Sequence, residues 1–310
     1  MKAFKLYKAV YKAGKPLLEA LPAGGRAKSR ILAIVRKLIP DNRTLLAGAS
    51  SPISFEIDGE RFVLNFRPDD EGDLGIVKCL LRGGLYEPEV VSCLKLVLRP
   101  GETVIDGGAH IGYISLAASR YVGETGRVFS FEPFPESFKL LEDNIAMNQK
   151  TTKNILATPQ ALWKKPGRLR LTAPANCSVS VRWDRSPSSE SEDRVEVEAI
   201  DIDGFCLARK LSPALIKLDV EGAEPEALNG AWGVIREFKP LFIIELNEKH
   251  YRDRHLSLST FLDTLLKNGY QKCYILYARF EDREEIPLPG GLGDVEKRLR
   301  GRHLNCLFRP

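Results

Sequence analysis

Only four of the 310 residues are histidine (His110, His250, His255 and His303), and no G-x-S-x-G elbow accompanies them. The main signature of a serine hydrolase is therefore missing. Six cysteines (Cys79, Cys93, Cys177, Cys206, Cys273 and Cys306) are scattered, without a CxxC pair or a histidine at zinc-finger spacing. They read as reduced core thiols. Three tryptophans (Trp163, Trp183 and Trp232) lack the spacing of an RNA-stacking platform. No apolar run approaches the ~18 residues that a transmembrane helix needs. Lysines interrupt the opening MKAFKLYKAVYKAGK, so it does not read as a secretory signal. A cytoplasmic location without disulfides is the expectation. There are no internal repeats.

What is present reads as an ordinary globular chain, 44% apolar and 28% charged. The net charge of +5 hides an asymmetry. Residues 1–40 hold ten Lys/Arg and one acid, Glu19, whereas the rest holds 36 basic and 40 acidic groups. A basic arm is joined to a slightly acidic body, so the composition of the body argues against a nucleic-acid partner. Lys2, Lys5, Lys8, Lys12 and Lys15 would form one stripe on a helix. Residues 1–50 are expected to be a helical arm, either surface helices packed on the body or on a second subunit, or an amphipathic arm for a membrane surface or an acidic partner.

Residues 51–85 read as a β-hairpin and connection. Ile53, Phe55 and Ile57 alternate, Asp58-Gly59 turns, and Phe62, Leu64 and Phe66 alternate again. Residues 87–98 look helical. From 103 onward strands and helices alternate, with strands expected at 103–108, 127–133, 154–162, 215–220, 241–246, 273–278 and 303–309. Helices are expected at 111–121, 135–149, 223–238 and 256–269. Short extra strands at 169–173, 178–183 and 194–200 surround a polar tip at 184–193. This order predicts a parallel sheet covered on both faces, with ligands at the carboxyl ends of its strands.

The first such end is Asp106, followed by Gly107, Gly108 and Gly112. A dinucleotide fingerprint fails because Ala109 stands where its second glycine is needed. The acid in front suits a ligand bearing cations and donors and lacking phosphate. S-adenosylmethionine, with its ammonium, sulfonium and ribose diol, fits, and the glycines let the backbone approach it. Glu132 ends the next strand, 26 residues beyond Asp106. That is near the ~20-residue offset at which an acid meets ribose hydroxyls.

The segments VIDGGAHIGYISL, VFSFEPFPESFKLLEDNI and IKLDVEGAEPEALNGA together resemble the FkbM family of S-adenosylmethionine-dependent methyltransferases. The resemblance runs from Tyr86 to Phe308, about 220 residues. It implies that residues 86–310 form a class I methyltransferase domain. That is an α/β, Rossmann-like fold with a seven-stranded, mostly parallel sheet and a reversed last strand. The family implies O-methylation, commonly of sugar or polyketide hydroxyls. His110 departs from the asparagine usual there, although histidine tolerates left-handed backbone.

Further strand ends supply Asp219, Glu221, Glu224, Glu245 and Asn247. Transfer to a hydroxyl needs a base for the acceptor proton, and clustered acids raise one another's pKa into a useful range. Asp219, Glu221 and Glu245 are the candidate catalytic residues. Glu87, Asp106, Gly108, His110, Gly112, Glu132 and Gln160 are the candidate cofactor contacts, with Gln160 near the adenine and Tyr86 beside Glu87. No metal ligands are assigned. Mg²⁺ held by Asp219, Glu245 and Asn247 is the competing chemistry. Glu224 would merely charge its helix start, and Asp201 and Asp203 read as structural. Residues 286–302 are expected to form a lid at the site. The acceptor is expected to be a small molecule or glycan, and homo-oligomerisation is open. The alternative function is a membrane- or partner-docked binding protein whose methyltransferase domain is inactive.

Overall fold

The computed structural model describes residues 51–150, 152–172, 182–184, 194–254, 256–277 and 282–310. The basic arm, Cys177, His255, most of the expected strand at 178–183 and most of the polar tip lie outside the described residues.

The chain opens with a hairpin, β1 (Ile53–Ile57) and β2 (Glu60–Leu64), turning at Asp58 (φ 47°) and Gly59 (φ 80°). Both residues being left-handed matches the twist of the flanking strands. The connection after it contains a helix that the sequence pattern did not reveal, α1 (Glu71–Leu81), capped by Asp70. Helix α2 (Pro88–Val97) follows, and then β3 (Thr103–Gly107), α3 (Tyr113–Val122), β4 (Arg127–Phe131) and α4 (Pro135–Met147).

The expected strand at 154–162 is two strands in different sheets. Pro159 separates β5 (Ile155–Thr158) from β6 (Gln160–Leu162), because proline cannot donate to the ladder. β6 joins β7 (Gly167–Thr172), β8 (Arg182–Asp184) and β9 (Arg194–Ile200) in a small sheet of order β6-β9-β7-β8. Next come α5 (Ile202–Arg209), β10 (Pro213–Leu218), α6 (Glu224–Asn229) and α7 (Trp232–Phe238). The single helix expected over 223–238 is thus broken at Gly230. A Cβ at Gly230 would lie 2.2 Å from the Trp163 carbonyl. Asp203 seals the break by accepting the N–H groups of Gly233 and Val234, both at 2.8 Å. Asp201 caps α5, so both aspartates are structural.

The chain ends with β11 (Leu241–Asn247), α8 (Glu248–Asp253), α9 (Leu258–Lys267), β12 (Lys272–Ile275), β13 (Glu284–Pro287), α10 (Leu288–Leu299) and β14 (His303–Arg309). The main sheet has the order β13-β12-β14-β11-β10-β3-β4-β5. Seven of these strands make the class I methyltransferase sheet, with β14 reversed between β11 and β12. β13 is an added antiparallel edge.

Adjacent residues in the central strands serve opposite cores. Val104, Leu215 and Ile243 pack with the hairpin, α1 and α2, while Ile105, Ile216 and Ile244 pack with α5, α7 and α9. Two covered faces explain why these strands read as unbroken apolar runs. The lid expected over 286–302 is instead β13 and α10, with Leu288, Val295 and Leu299 in the core. Pro287 pairs with Lys272 at the start of β12, so Gly290 and Gly291 follow at the edge opposite the strand ends that bear Asp106 and Asp219. Among the described residues, no helix is long and apolar enough to cross a membrane.

Candidate active site

The glycine loop after β3 builds the floor. Gly108 (φ 78°) and His110 (φ 51°) are left-handed, and Gly108 and Ala109 both donate to the Phe131 carbonyl at the end of β4. A Cβ on Gly108 would stand 1.8 Å from the Asp219 carbonyl oxygen. The ends of β3, β4 and β10 therefore meet at one point, and that contact requires glycine.

Above this floor lies a cleft of about 630 Å³, measured to its open mouth, walled by Tyr86, Glu87, Gly108, His110, Glu132, Lys217, Asp219 and Glu221 among others. A more apolar lobe of about 350 Å³ shares Gly108 and Glu221 with it. Phe131, Pro133, Ala161, Leu162 and Val220 line that lobe, together with Gln160. The Gln160 amide reaches Glu198 at 3.2 Å.

Lys217 is the residue that sequence reasoning missed here. It is 2% exposed, and its ammonium lies 2.9 Å from Asp219 Oδ2 and 3.9 Å from Asp106 Oδ1. Burial pushes its pKa down, but the carboxylates of Asp219, Asp106 and Glu87 outweigh that and hold it above the ordinary lysine value. A lysine at an inward position of an otherwise apolar strand was the available signal. Asp106 does not wall the cleft. It lies fully buried beneath the loop, accepts Ser115 Oγ at 2.6 Å, and burial raises its pKa.

The cleft carboxyls are poised high. Burial, the Asp219 carboxylate and the Glu224 carboxylate push Glu221 up to about 9. Burial lifts Glu87 to about 8 despite Lys217. Glu87 itself is left-handed (φ 42°) and makes no side-chain cap for α2. Glu132 is 7% exposed, and its oxygens accept the His110 N–H at 2.8 Å and the Phe134 N–H at 2.9 Å. Its pKa is raised by burial, against those donors.

Other expected residues sit one layer away. Gly112 (φ 93°) starts α3, where a Cβ would meet Leu141 at 2.7 Å. Glu245 is half-buried at the end of β11, raised well above the carboxylate range by burial and by the Asp219 and Glu221 carboxylates. Asn247 caps α8 through the Lys249 N–H. Glu224 ties the DVEG turn, accepting the N–H groups of Val220 (3.0 Å) and Gly222 (3.1 Å). His250, unassigned in sequence, lies 3.4 Å from Glu221 Oε2.

A Mg²⁺ held by Asp219, Glu245 and Asn247 does not fit this arrangement. Asp219 is engaged by Lys217, and Asn247 caps a helix. Among the described residues, the only group with metal-ligand convergence is Asp70, Asp73 and His110. Arg67 stands in that group, 3.6 Å from Asp70 and 2.9 Å from Asp73, and already supplies the cation.

The class I methyltransferase sheet thus carries a glycine loop, a strand-end Glu and an acidic turn on one edge. The chain matches the Methyltransferase FkbM domain over residues 106–272, more than half its length, and belongs to that family. Solved structures with a similar chain path include an FkbM methyltransferase from Methylobacillus flagellatus. It is 19% identical over 90% of this chain and 60% of its own, with a TM-score of 0.43. The chain thus spans about three-fifths of that protein's length. Aeropyrum pernix fibrillarin, solved with natively bound S-adenosylmethionine, is 12% identical over 85% of this chain and 86% of its own, with a TM-score of 0.40. An S-adenosylmethionine-dependent O-methyltransferase from Thermotoga maritima is 12% identical over 73% and 66%, with a TM-score of 0.38. No curated protein matches the chain.

Proposed function

We propose that the chain moves the methyl group of S-adenosylmethionine to a hydroxyl on a sugar or glycan. The observation that carries this reading is the ring of carboxylates, Glu87, Glu132, Asp219 and Glu221, around a glycine seat that no side chain can fill. A cationic cofactor draws these groups into their ionised form and is held by them, whereas a phosphate-bearing one gains nothing from them. When bound, S-adenosylmethionine supplies an electrophilic methyl group on a sulfonium.

Glu132 accepts the ribose hydroxyls, and its position is fixed by the two backbone donors. Glu87 faces the ammonium end. The apolar lobe beside Gln160 receives the adenine. Asp219, oriented by Lys217, holds the acceptor hydroxyl, and Glu221 takes its proton. A cation in the cleft favours ionised carboxylates, so the high pKa of Glu221 falls as the cofactor binds. The base is thus armed only in the loaded enzyme. Glu245 stands behind these two. A hydroxyl-rich, uncharged acceptor suits an acceptor side made of carboxylates, and a nucleic acid does not. The basic residues 1–40 serve location or assembly, at a membrane surface or between copies.

Calorimetry with S-adenosylmethionine on the full chain tests the cofactor, and absence of binding would favour a scaffold instead. Release of S-adenosylhomocysteine with a panel of monosaccharides tests the acceptor. Asp219→Asn should lower that turnover about a hundredfold with cofactor affinity preserved. Undiminished turnover would remove Asp219 from the chemistry.

A further inference from the structure

The hairpin and α1 precede the matched family region, yet one of their side chains reaches the cofactor loop. Asp73, in the first turn of α1, is fully buried, and four donors saturate its two oxygens. Oδ2 accepts the Arg67 backbone N–H at 2.7 Å and Arg67 Nε at 2.9 Å. Oδ1 accepts Arg67 Nη2 at 2.9 Å and lies 2.9 Å from His110 Nε2. Burial pushes the Asp73 carboxyl up, but the Arg67 and His110 hydrogen bonds outweigh it and hold the group well below the usual carboxylate range. Arg67 is itself anchored to α4 through Ser137 Oγ at 3.1 Å.

His110 occupies a left-handed conformation (φ 51°) that persists only where the surroundings hold it. Two anchors do so, Asp73 at the imidazole and Glu132 at the backbone N–H. We infer that Asp73 is a positioning residue for the S-adenosylmethionine site, acting through the His110 imidazole to aim the loop N–H at Glu132. Residues 67–73 thereby belong to the cofactor-binding machinery, although they precede the catalytic fold in sequence. The inference rests on the reading that Glu132 holds the ribose.

The test measures S-adenosylmethionine affinity by calorimetry for full-length Asp73→Asn, His110→Asn, the double variant and Glu132→Gln. Asp73→Asn and His110→Asn should each weaken binding about tenfold, the size of one charge-assisted hydrogen bond. In the double variant, the Asp73 change should add less than about twofold, since the imidazole through which it acts is gone. Additive losses, or parent-like affinity in His110→Asn, would overturn the inference. If Asp73→Asn does not fold, His110→Asn alone still decides, because asparagine tolerates the left-handed backbone. Parent-like binding by Glu132→Gln would instead fail the ribose reading, which separates the two failures.

Discussion

Lys217→Met removes the positive charge between Asp106 and Asp219 while keeping a long side chain. Asp106 is fully buried; Ser115 donates to its Oδ2, its Oδ1 has no hydrogen-bond partner, and the ammonium 3.9 Å away supplies the opposing charge. Leaving a buried charge unpaired costs about 3–5 kcal/mol. The loss should depend on pH, because one carboxyl can escape by taking a proton. A carboxyl whose folded pKa lies above its unfolded value contributes stability that is present below the unfolded value. That stability disappears as pH rises through the folded value. Burial already raises Asp106, with Lys217 opposing it, and the variant loses the opposing term. Denaturant unfolding of parent and variant at pH 8 should therefore differ by about 3–5 kcal/mol. Each pH unit below the raised pKa should return about 1.4 kcal/mol, so the loss at pH 6 should be smaller than at pH 8. A loss under about 1 kcal/mol at pH 8, or one equal at both pH values, would refute the view that Lys217 is held there as a counter-charge.

Other expectations follow from the same geometry. Gly108→Ala puts a Cβ 1.8 Å from the Asp219 carbonyl at a φ of +78°. It should abolish measurable S-adenosylmethionine binding, and parent-like affinity would contradict the close-approach argument. Glu87 and Glu221, raised to about 8 and about 9, are protonated at neutral pH without cofactor. A cationic cofactor must displace those protons, so affinity should rise between about pH 6 and 7.5 with protons released to buffer. Calorimetry in two buffers of different ionisation enthalpy reads this, and affinity that falls with pH would disprove it. Removing residues 1–40 should leave cofactor affinity unchanged and reduce sedimentation with anionic vesicles or the oligomer size. Loss of cofactor binding would contradict that division.

Much of the site was legible because strand ends converge in a parallel sheet. Gly108, Glu132, Asp219 and Glu221 could be paired from spacing alone, since each ends a readable strand. The residues that were not legible share one cause. Nothing in IKLDV marks Lys217 as a counter-charge, because Asp106 meets it only across the folded sheet. Asp106 was expected beside the cofactor, and its full burial beneath the loop follows from the packing of β3 between β4 and β10. Residues 286–302 were expected to form a lid because they lead into a reversed last strand at the carboxyl edge. The apolar positions Leu288, Val295 and Leu299 instead seat them against the core.

Sequence by itself determined the alternation of strands and helices, the glycine seat and the family, because these depend on local periodicity and short motifs. The tertiary structure alone decided which charges face each other. The pairing of Lys217 with Asp106 joins two strands far apart in sequence. That of Asp73 with His110 ties a helix ahead of the family region to the cofactor loop. Such long-range pairs leave no local pattern, since electrostatic compensation depends on distance in space and not on separation along the chain.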